Sequence, residues 1–348
     1  MTQLAHAPHT HFEPPATAPA PAEARGLARD EVRLLVGAAD AIRHVRFRDL
    51  PDQLDAGDLL VVNNSATVVG QVDAVSSQGG KVVVHVATPL DDGTWAIEVR
   101  TAPHAARAVL DAEPGEQLRV GDVVLRLLEP WPRSSSPTGL GNRLWRATAD
   151  GDLAAIVARV GRPISYGYLD RAYPIEDYQS VFSRVPGSAE MPSAARPFTP
   201  DLVTRLVAKG IGIMPITLHT GVSSQEAGEA PQPERFEVSF ATAATVNEAR
   251  ARGARIIAVG TTVVRALESA VVDGLVVPQA GWTERVITPD DPAVVVDGLI
   301  TGWHDPAASH LLLVESIAGV GLTQRAYDAA VAEGYLWHEF GDSALLLP

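Results

Sequence analysis

Residues 256–270 read IIAVGTTVVRALESA, an apolar run that ends at a glycine and is followed by two threonines and a segment of helical period. Such a junction of strand and helix can hold an anion, because the first backbone N–H groups of a helix are free and its dipole favours negative charge. Thr261 and Thr262 add hydroxyls and Arg265 adds a guanidinium. Alternatively, a threonine only caps the helix, and Arg265 pairs on the helix surface with Glu268. The local sequence leaves both interpretations open.

Further polar residues follow other apolar runs. ITLHTG places His219 at the end of one run, and LITGWHDPAASH places Thr301, His304 and Ser309 at the end of another. In open α/β sheets, ligands bind beyond the carboxyl ends of the strands. A histidine there is a natural acid or base, although it can equally be a structural hydrogen-bond partner. The sequence contains no P-loop, no G-x-G-x-x-G after a strand, no H-E-x-x-H and no G-x-S-x-G.

The elements that must position these residues follow two patterns. From about residue 33 to 148, short β-branched runs with turn residues between them, such as the Gly-Asp turn in QLRVGDVVLRLL, indicate a small barrel or sandwich. After about residue 150, helices alternate with apolar strands, which is typical of an α/β layer with a largely parallel sheet. We predict three helices with these caps and stops: Thr199 to Gly210, Thr242 to Gly253, and Thr323 to Gly334.

Composition narrows the class of protein. The 348 residues include no cysteine, which excludes disulfides and thiolate sites and fits the cytoplasm. No apolar run is long enough for a membrane span, and the N-terminus lacks the features of a secretory signal. The net charge of −14 argues against a general nucleic-acid coat but not against a local basic patch. All but two of the 28 basic residues are arginines, which reflects either base composition or recognition of carboxylates and phosphates.

Residues 1–25 are rich in Ala, Pro and His, and this composition predicts a disordered tail. His6, His9 and His11 lie in this segment. They are candidate metal ligands, but the sequence offers no other ligand at a suitable spacing, so we expect no metal site.

Several longer segments occur together in one order: RDEVRLLV, DLPDQLDAGDLLVVNNS, EDYQSVFSRVPGSAEMPSA, ITLHTGV, ERFEV, ARIIAVGTTVVRALES, GWTERVI, VVDGLITGWHDPAASHLLLVESIAG and AYDAAVAEGYLWHEFGDSALLL. In this order they resemble the S-adenosylmethionine:tRNA ribosyltransferase-isomerase family of queuosine biosynthesis, over roughly residues 29 to 347. The resemblance implies an α/β main domain with a largely parallel or mixed sheet and an inserted small antiparallel β-barrel. The implied boundaries are a tail at 1–25, the main domain at 26–66 and 150–348, and the barrel at 67–149.

The resemblance implies an enzyme that transfers and isomerises the ribosyl group of S-adenosylmethionine onto 7-aminomethyl-7-deazaguanine at the wobble position of a tRNA, giving epoxyqueuosine. S-adenosylmethionine is then a co-substrate, no cofactor is permanently bound, and the anticodon stem-loop of the tRNA is the partner. We expect Thr261, Thr262 and Arg265 to hold the methionine carboxylate. The other expected site residues are His304 as base with His219 as the second candidate, Glu234 for ribose hydroxyls or an amine, Tyr178 and Gln179 for a base, and Thr301 and Ser309 for substrate.

The chain departs from the family pattern at polar positions. The family's usual Asn-Asp-Thr-Arg is here Asn-Asn-Ser-Ala, ending at Ala66, and a basic position shortly after is Gln71. Pro197 stands where the family has histidine, and Gln232 begins the segment that is usually His-Ser-Glu. Two hypotheses follow. Either the chain is a working ribosyltransferase-isomerase, or it is a divergent relative that keeps the fold and binds or modifies another substrate.

Overall fold

The computed structural model describes residues 7–39, 41–132, 139–222, 229–306 and 308–348. Over these residues the chain forms a nine-stranded mixed sheet flanked by helices and a closed six-stranded antiparallel barrel. This architecture confirms the predicted fold class.

The strands run in chain order as follows: β1 Arg33–Ala38, β2 Ala41–Arg46, β3 Leu59–Asn63, β4 Ser65–Thr67, β5 Gln71–Ser76, β6 Lys81–Pro89, β7 Trp95–Thr101, β8 Gln117–Val120, β9 Val123–Pro130, β10 Leu144–Ala149, β11 Val185–Ser188, β12 Gly212–His219, β13 Glu234–Val238, β14 Ile256–Val259, β15 Val271–Val272, β16 Leu275–Val276, β17 Gln279–Thr283, β18 Gly298–Thr301 and β19 Ser343–Leu347. The α-helices are α1 Leu153–Val160, α2 Pro200–Ala208, α3 Phe240–Ala251, α4 Thr261–Ser269 and α5 Ser309–Ala332. Short 3₁₀ helices lie at Glu23–Arg25, Arg29–Glu31, Phe47–Gln53, Ile175–Tyr178 and Ser193–Ala195.

The large sheet has the strand order β17-β13-β12-β3-β14-β18-β19-β1-β2. Its four middle strands β12, β3, β14 and β18 are mutually parallel, so their carboxyl ends meet at one edge. At β3, β14 and β18 both faces of the sheet are buried: Val61 faces the cluster formed with α3, α4 and α5, whereas Leu60 and Val62 face the cluster formed with α2. This alternation explains why the middle strands are apolar at nearly every position.

The barrel has the strand order β10-β7-β6-β5-β8-β9, and a turn at Gly121 joins β8 to β9 as the Gly-Asp pair predicted. Its interior also takes up Leu153, Ile156 and Val157 of α1, so this helix packs with the barrel. The boundaries of 67 and 149 that the sequence indicated for the barrel stay a prediction.

The N-terminal segment differs from the prediction of a disordered tail where the structure describes it. Thr10, Ala18 and Ala20 are buried, and the backbone of Ala18 donates to the carbonyl of Trp337 at 3.1 Å. Thr10 donates to the Glu315 carboxylate through both its N–H and its hydroxyl, each at 2.7 Å. The small residues that suggested disorder allow close packing against the C-terminal part of the chain. His6 lies outside the described residues.

Two of the predicted helix starts are displaced. Helix α2 begins as expected, with the Thr199 hydroxyl accepting the Leu202 N–H. Helix α3, however, is capped by Ser239, which accepts the N–H of Thr242. Thr323 lies inside α5 rather than at its start, and the nonhelical backbone of Gly319, with φ of 75°, breaks α5 into two pieces. No helix within the described ranges is both long and apolar enough to cross a membrane.

Candidate active site

A cavity of about 480 Å³ lies at the carboxyl ends of the parallel strands. Residues that follow β12, β14 and β18 line it together with residues of the barrel and of the segment after α5. Six of the predicted site residues are among the lining residues: Glu234, Thr261, Thr262, Arg265, Thr301 and His304. The structure thus brings together at one edge most of the polar strand ends that the sequence indicated.

Helix α4 begins at the cavity. Its N-cap is Gly260, whose φ of 101° lies in the region that favours glycine, and no side chain caps the helix. The hydroxyls of Thr261 and Thr262 therefore do not play the capping role that was the alternative interpretation. The N–H groups of these two threonines lie in the first turn, where a helix offers no internal acceptor. They are suited to an anion.

Arg265 and Glu234 form a buried ion pair, with side chains only 5% and 13% exposed. Arg265 also donates to the carbonyl oxygens of Gln232 at 3.0 Å and Arg285 at 3.2 Å. Burial raises the pKa of the Glu234 carboxyl, although the Arg265 charge opposes that shift. The guanidinium is therefore already engaged by the protein, and any ligand anion has to share it.

The alternative in which Arg265 pairs with Glu268 on the helix surface is not what the structure shows. Glu268 is buried and accepts backbone N–H groups from Val294 at 3.0 Å, Val295 at 2.8 Å and Val296 at 3.2 Å. Its carboxylate holds the chain that leads into β18. The spacing of three residues places both side chains on one helix, but each reaches a different part of the fold.

His304 lies at the cavity wall. Its Nε2 hydrogen-bonds the Thr301 hydroxyl at 3.0 Å, and its ring stacks on that of His310 with centroids 4.8 Å apart. Burial, and then the charges of His310 and His338, hold the pKa of His304 well below its usual value. Burial likewise lowers the pKa of His310 to about 4. Both imidazoles are therefore neutral near pH 7, so His304 can accept a proton but is a weak base.

His219 does not line this cavity. Its Nδ1 lies 2.7 Å from the hydroxyl of Ser65, which in turn lies 2.6 Å from that of Ser188. A Cβ on Gly187 would approach the His219 ring to 2.6 Å, so the glycine allows the ring to pack there. Burial lowers the pKa of His219. The structure gives this residue the structural role that was the alternative interpretation.

Tyr178 and Gln179 also lie away from the cavity wall, contrary to the expected contact with a base. Tyr178 is buried edge-on against Phe340 at 5.1 Å. Gln179 exchanges two hydrogen bonds with the backbone of Thr67. Both side chains are occupied in packing the chain between the barrel and the main domain. Ser309 is buried outside the cavity lining, and its Oγ has no hydrogen-bond partner among the described residues.

Sequence reasoning missed a group of residues that line the cavity: Tyr166, Tyr168, Glu190, His338 and Glu339. None follows a predicted strand. They lie in irregular segments that only the fold brings together, although Glu190 falls within one of the longer segments that carry the family resemblance, and His338 and Glu339 fall within another.

The residues that depart from the family pattern hydrogen-bond or pack within the fold. Gln71 is buried in the barrel, where its Oε1 hydrogen-bonds His85 at 3.0 Å and the Ser165 N–H at 3.1 Å. Gln232 lines the cavity and donates to the Val222 carbonyl at 2.8 Å. Ala66 pairs with Pro186 on a two-stranded ladder, and Pro197 is buried.

In the described part of the chain, no group of three or more His, Asp or Glu side chains is arranged to hold a metal ion.

Residues 10–346 match a family model described as queuosine biosynthesis protein. The chain is 38% identical over 338 residues to an S-adenosylmethionine:tRNA ribosyltransferase-isomerase of Anaeromyxobacter dehalogenans, covering 92% of this chain and 93% of that protein. It is 36% identical over 336 residues to the protein of the same name from Thermus thermophilus, with the same coverage of both chains.

A solved structure is also similar. The S-adenosylmethionine tRNA ribosyltransferase of Thermotoga maritima matches with a TM-score of 0.53 and 27% sequence identity. The match covers 97% of this chain and 99% of that one. The likeness therefore extends through both the main domain and the barrel.

Proposed function

Because the chain belongs to the queuosine biosynthesis protein family, we propose that it is an S-adenosylmethionine:tRNA ribosyltransferase-isomerase. The reaction transfers the ribosyl group of S-adenosylmethionine to 7-aminomethyl-7-deazaguanine at the wobble position of a tRNA and isomerises it. The product is epoxyqueuosine, and adenine and methionine leave. The observation that carries the proposal is the cavity at the parallel strand ends, which combines free helix N–H groups, a buried arginine and a neutral histidine.

The donor's carboxylate is best placed at the start of α4. The N–H groups of Thr261 and Thr262 would donate to it, and the helix dipole would stabilise its charge. Arg265 would supply a further donor from its place beside Glu234. Glu234, with an oxygen that accepts the Gly221 N–H at 3.1 Å, remains available to bind hydroxyls of the ribose.

The sulfonium of the donor makes neighbouring ribose protons acidic and methionine a good leaving group, so the reaction needs a base. His304 is the candidate because it is neutral and lines the cavity. Thr301, which contacts the His304 Nε2, would fix the orientation of the ring. His219 is a less suitable base, since its Nδ1 faces Ser65 outside the cavity.

The alternative of a divergent relative without tRNA activity has no specific observation in its favour. Isothermal titration with S-adenosylmethionine, and then with two anticodon stem-loops, tests the proposal. One stem-loop carries guanine at the wobble position, and the other carries the aminomethyl-deazaguanine. We expect the donor to bind and the modified stem-loop to be preferred. Donor binding without preference for either stem-loop would point to another acceptor.

A further inference from the structure

One wall of the cavity is rich in hydrogen-bond acceptors. It contains Glu190, which accepts from the Tyr166 hydroxyl, and Glu339, which accepts from the Tyr168 hydroxyl. The Oε1 atom of Glu339 is buried and has no hydrogen-bond partner among the described residues. Glu339 lines the cavity, and a buried carboxylate oxygen without a partner is costly unless a donor completes it. The geometry therefore calls for a ligand with an N–H or O–H group.

The groups around Glu339 come from three other parts of the chain and from its own segment. Tyr168 and Tyr178 lie in the segment that follows the barrel, Glu190 lies after β11, and Arg196 lies before α2. His338 is its neighbour in sequence, stacks on Tyr168 with centroids 4.9 Å apart, and lies 3.9 Å from Asp305. Among the described residues, Glu339 forms no salt bridge within 4 Å. Burial, reinforced by the Glu190 charge and opposed by the Tyr168 hydrogen bond and the Arg196 charge, raises the pKa of Glu339 to about 8.

We propose that the Glu339 carboxyl, held by Tyr168, binds the aminomethyl ammonium of the acceptor nucleobase and takes its proton. This assignment rests on the proposed function and adds a residue for the acceptor. In the step, one N–H bond of R–CH₂–NH₃⁺ breaks and its electron pair stays on nitrogen. The proton forms an O–H bond on the carboxylate. The resulting neutral amine has the lone pair that it needs to form the new carbon–nitrogen bond.

S-adenosylmethionine is a second source of cationic charge. Its sulfonium has no N–H and cannot complete the Oε1 atom of Glu339. Its α-ammonium has N–H groups but takes no part in the bonds that form and break. A carboxyl that can exchange a proton near neutral pH suits the reacting amine instead, because a general base works best when its pKa lies near the operating pH. The test distinguishes the two sources.

The first test measures protons released on binding. At pH 7, the raised pKa leaves Glu339 mostly protonated in the free protein. Binding of the modified stem-loop should therefore release close to one proton, whether the shared proton of the complex ends on oxygen or on nitrogen. Titration calorimetry in two buffers of different ionisation enthalpy measures this number. Glu339→Gln should abolish the release and leave the affinity for S-adenosylmethionine within about twofold. Glu333→Gln, an exposed change on the same segment, is the matched control.

The second test measures the pH dependence of kcat/KM, which reports the free enzyme. In the wild type it should rise with pH through about 8 and level off above it, as Glu339 loses its proton. Glu339→Gln should remove this rise and lower kcat by about 10²-fold or more. Tyr168→Phe removes a hydrogen bond that lowers the pKa of Glu339, so the rise should move to higher pH. A residue with only a structural role would not shift the profile.

The outcomes separate the two proposals. If the wild type forms product and Glu339→Gln keeps both its rate and its pH profile, the role of Glu339 is refuted and the proposed function stands. Proton release on binding S-adenosylmethionine, lost in Glu339→Gln, would assign the carboxyl to the donor and also refute the role. Neither product nor proton release from the wild type with the modified stem-loop would refute both.

Discussion

Arg265 and Glu234 form an ion pair that we expect both to stabilise the fold and to take part in the candidate site. Variants of the pair test these two roles separately. Arg265→Met leaves the Glu234 carboxylate without its partner in a place where the side chain is only 13% exposed. Breaking a buried pair from one side costs about 3 to 5 kcal/mol, because an uncompensated charge stays buried. We expect a loss of that size in the free energy of unfolding. Arg252→Met, which removes an exposed pair with Glu248, should cost less than about 1 kcal/mol.

The double variant Arg265→Met with Glu234→Gln removes both charges. The amide that replaces the Glu234 carboxylate keeps an oxygen for the Gly221 N–H, which Glu234 accepts at 3.1 Å. The double variant should therefore be less destabilised than the sum of the two single variants, by about 1 to 3 kcal/mol. Urea denaturation of the four proteins gives this coupling energy. Additive losses would contradict the ion pair as the reason for the cost.

The same double variant tests the ligand role. If Arg265 donates to the donor carboxylate, its loss removes a charge-assisted hydrogen bond worth about 1.5 to 3 kcal/mol. The dissociation constant for S-adenosylmethionine should then rise about 10- to 100-fold. Titration calorimetry on the folded double variant measures it. An unchanged constant would show that Arg265 serves only the scaffold and that α4 alone holds the anion.

Three further predictions concern stability and the proposed base. Glu268→Ala should lower the free energy of unfolding, measured by urea denaturation, by about 3 kcal/mol or more, because it leaves three backbone N–H donors without their acceptor. The exposed control Glu248→Ala should lower it by less than about 1 kcal/mol. Burial alone would raise the pKa of Glu98, but the His85 hydrogen bond and the Arg143 and Arg100 charges hold it at about 2. The stability that Glu98 contributes should therefore be present above about pH 4.5 and be lost as the pH falls towards 2, and a wild-type profile as flat as that of Glu98→Gln over this range would contradict the assignment. His304→Ala should lower turnover by about 10²-fold or more while the affinity for S-adenosylmethionine stays near that of the wild type, and wild-type turnover in a folded variant would remove His304 from the mechanism.

Much of the architecture could be predicted from local patterns. The middle strands β3, β14 and β18 are apolar because both faces of the sheet are covered there, and that property is visible in the sequence. The cap of α2 at Thr199 is local chemistry and was predicted correctly. Thr242 was a wrong cap because Ser239 precedes it and accepts its N–H. A threonine inside a first turn looks much like a cap when the start of the helix is not known.

The candidate site was only partly predictable. Polar residues at strand ends were found, because parallel strands bring their carboxyl ends to one edge. The direction in which each side chain points and its bonding partner could not be predicted. Glu268 and Arg265 share a helix but reach different elements. Glu190 and Glu339 lie in irregular segments far apart in sequence, so no periodicity signals that they meet at the cavity. The composition of the N-terminal segment predicted disorder, yet the Thr10 hydroxyl donates to the buried carboxylate of Glu315, 305 residues away in the sequence.

Turnover is the most direct test of the proposed function. The purified protein would be incubated with S-adenosylmethionine and an anticodon stem-loop bearing 7-aminomethyl-7-deazaguanine, and the oligonucleotide would be analysed by mass spectrometry. We predict that the stem-loop gains the mass of the transferred ribosyl group, with adenine and methionine released in equal amounts, and that a guanine-34 stem-loop stays unchanged. An unmodified stem-loop, from a protein that nevertheless binds S-adenosylmethionine, would contradict the proposed reaction.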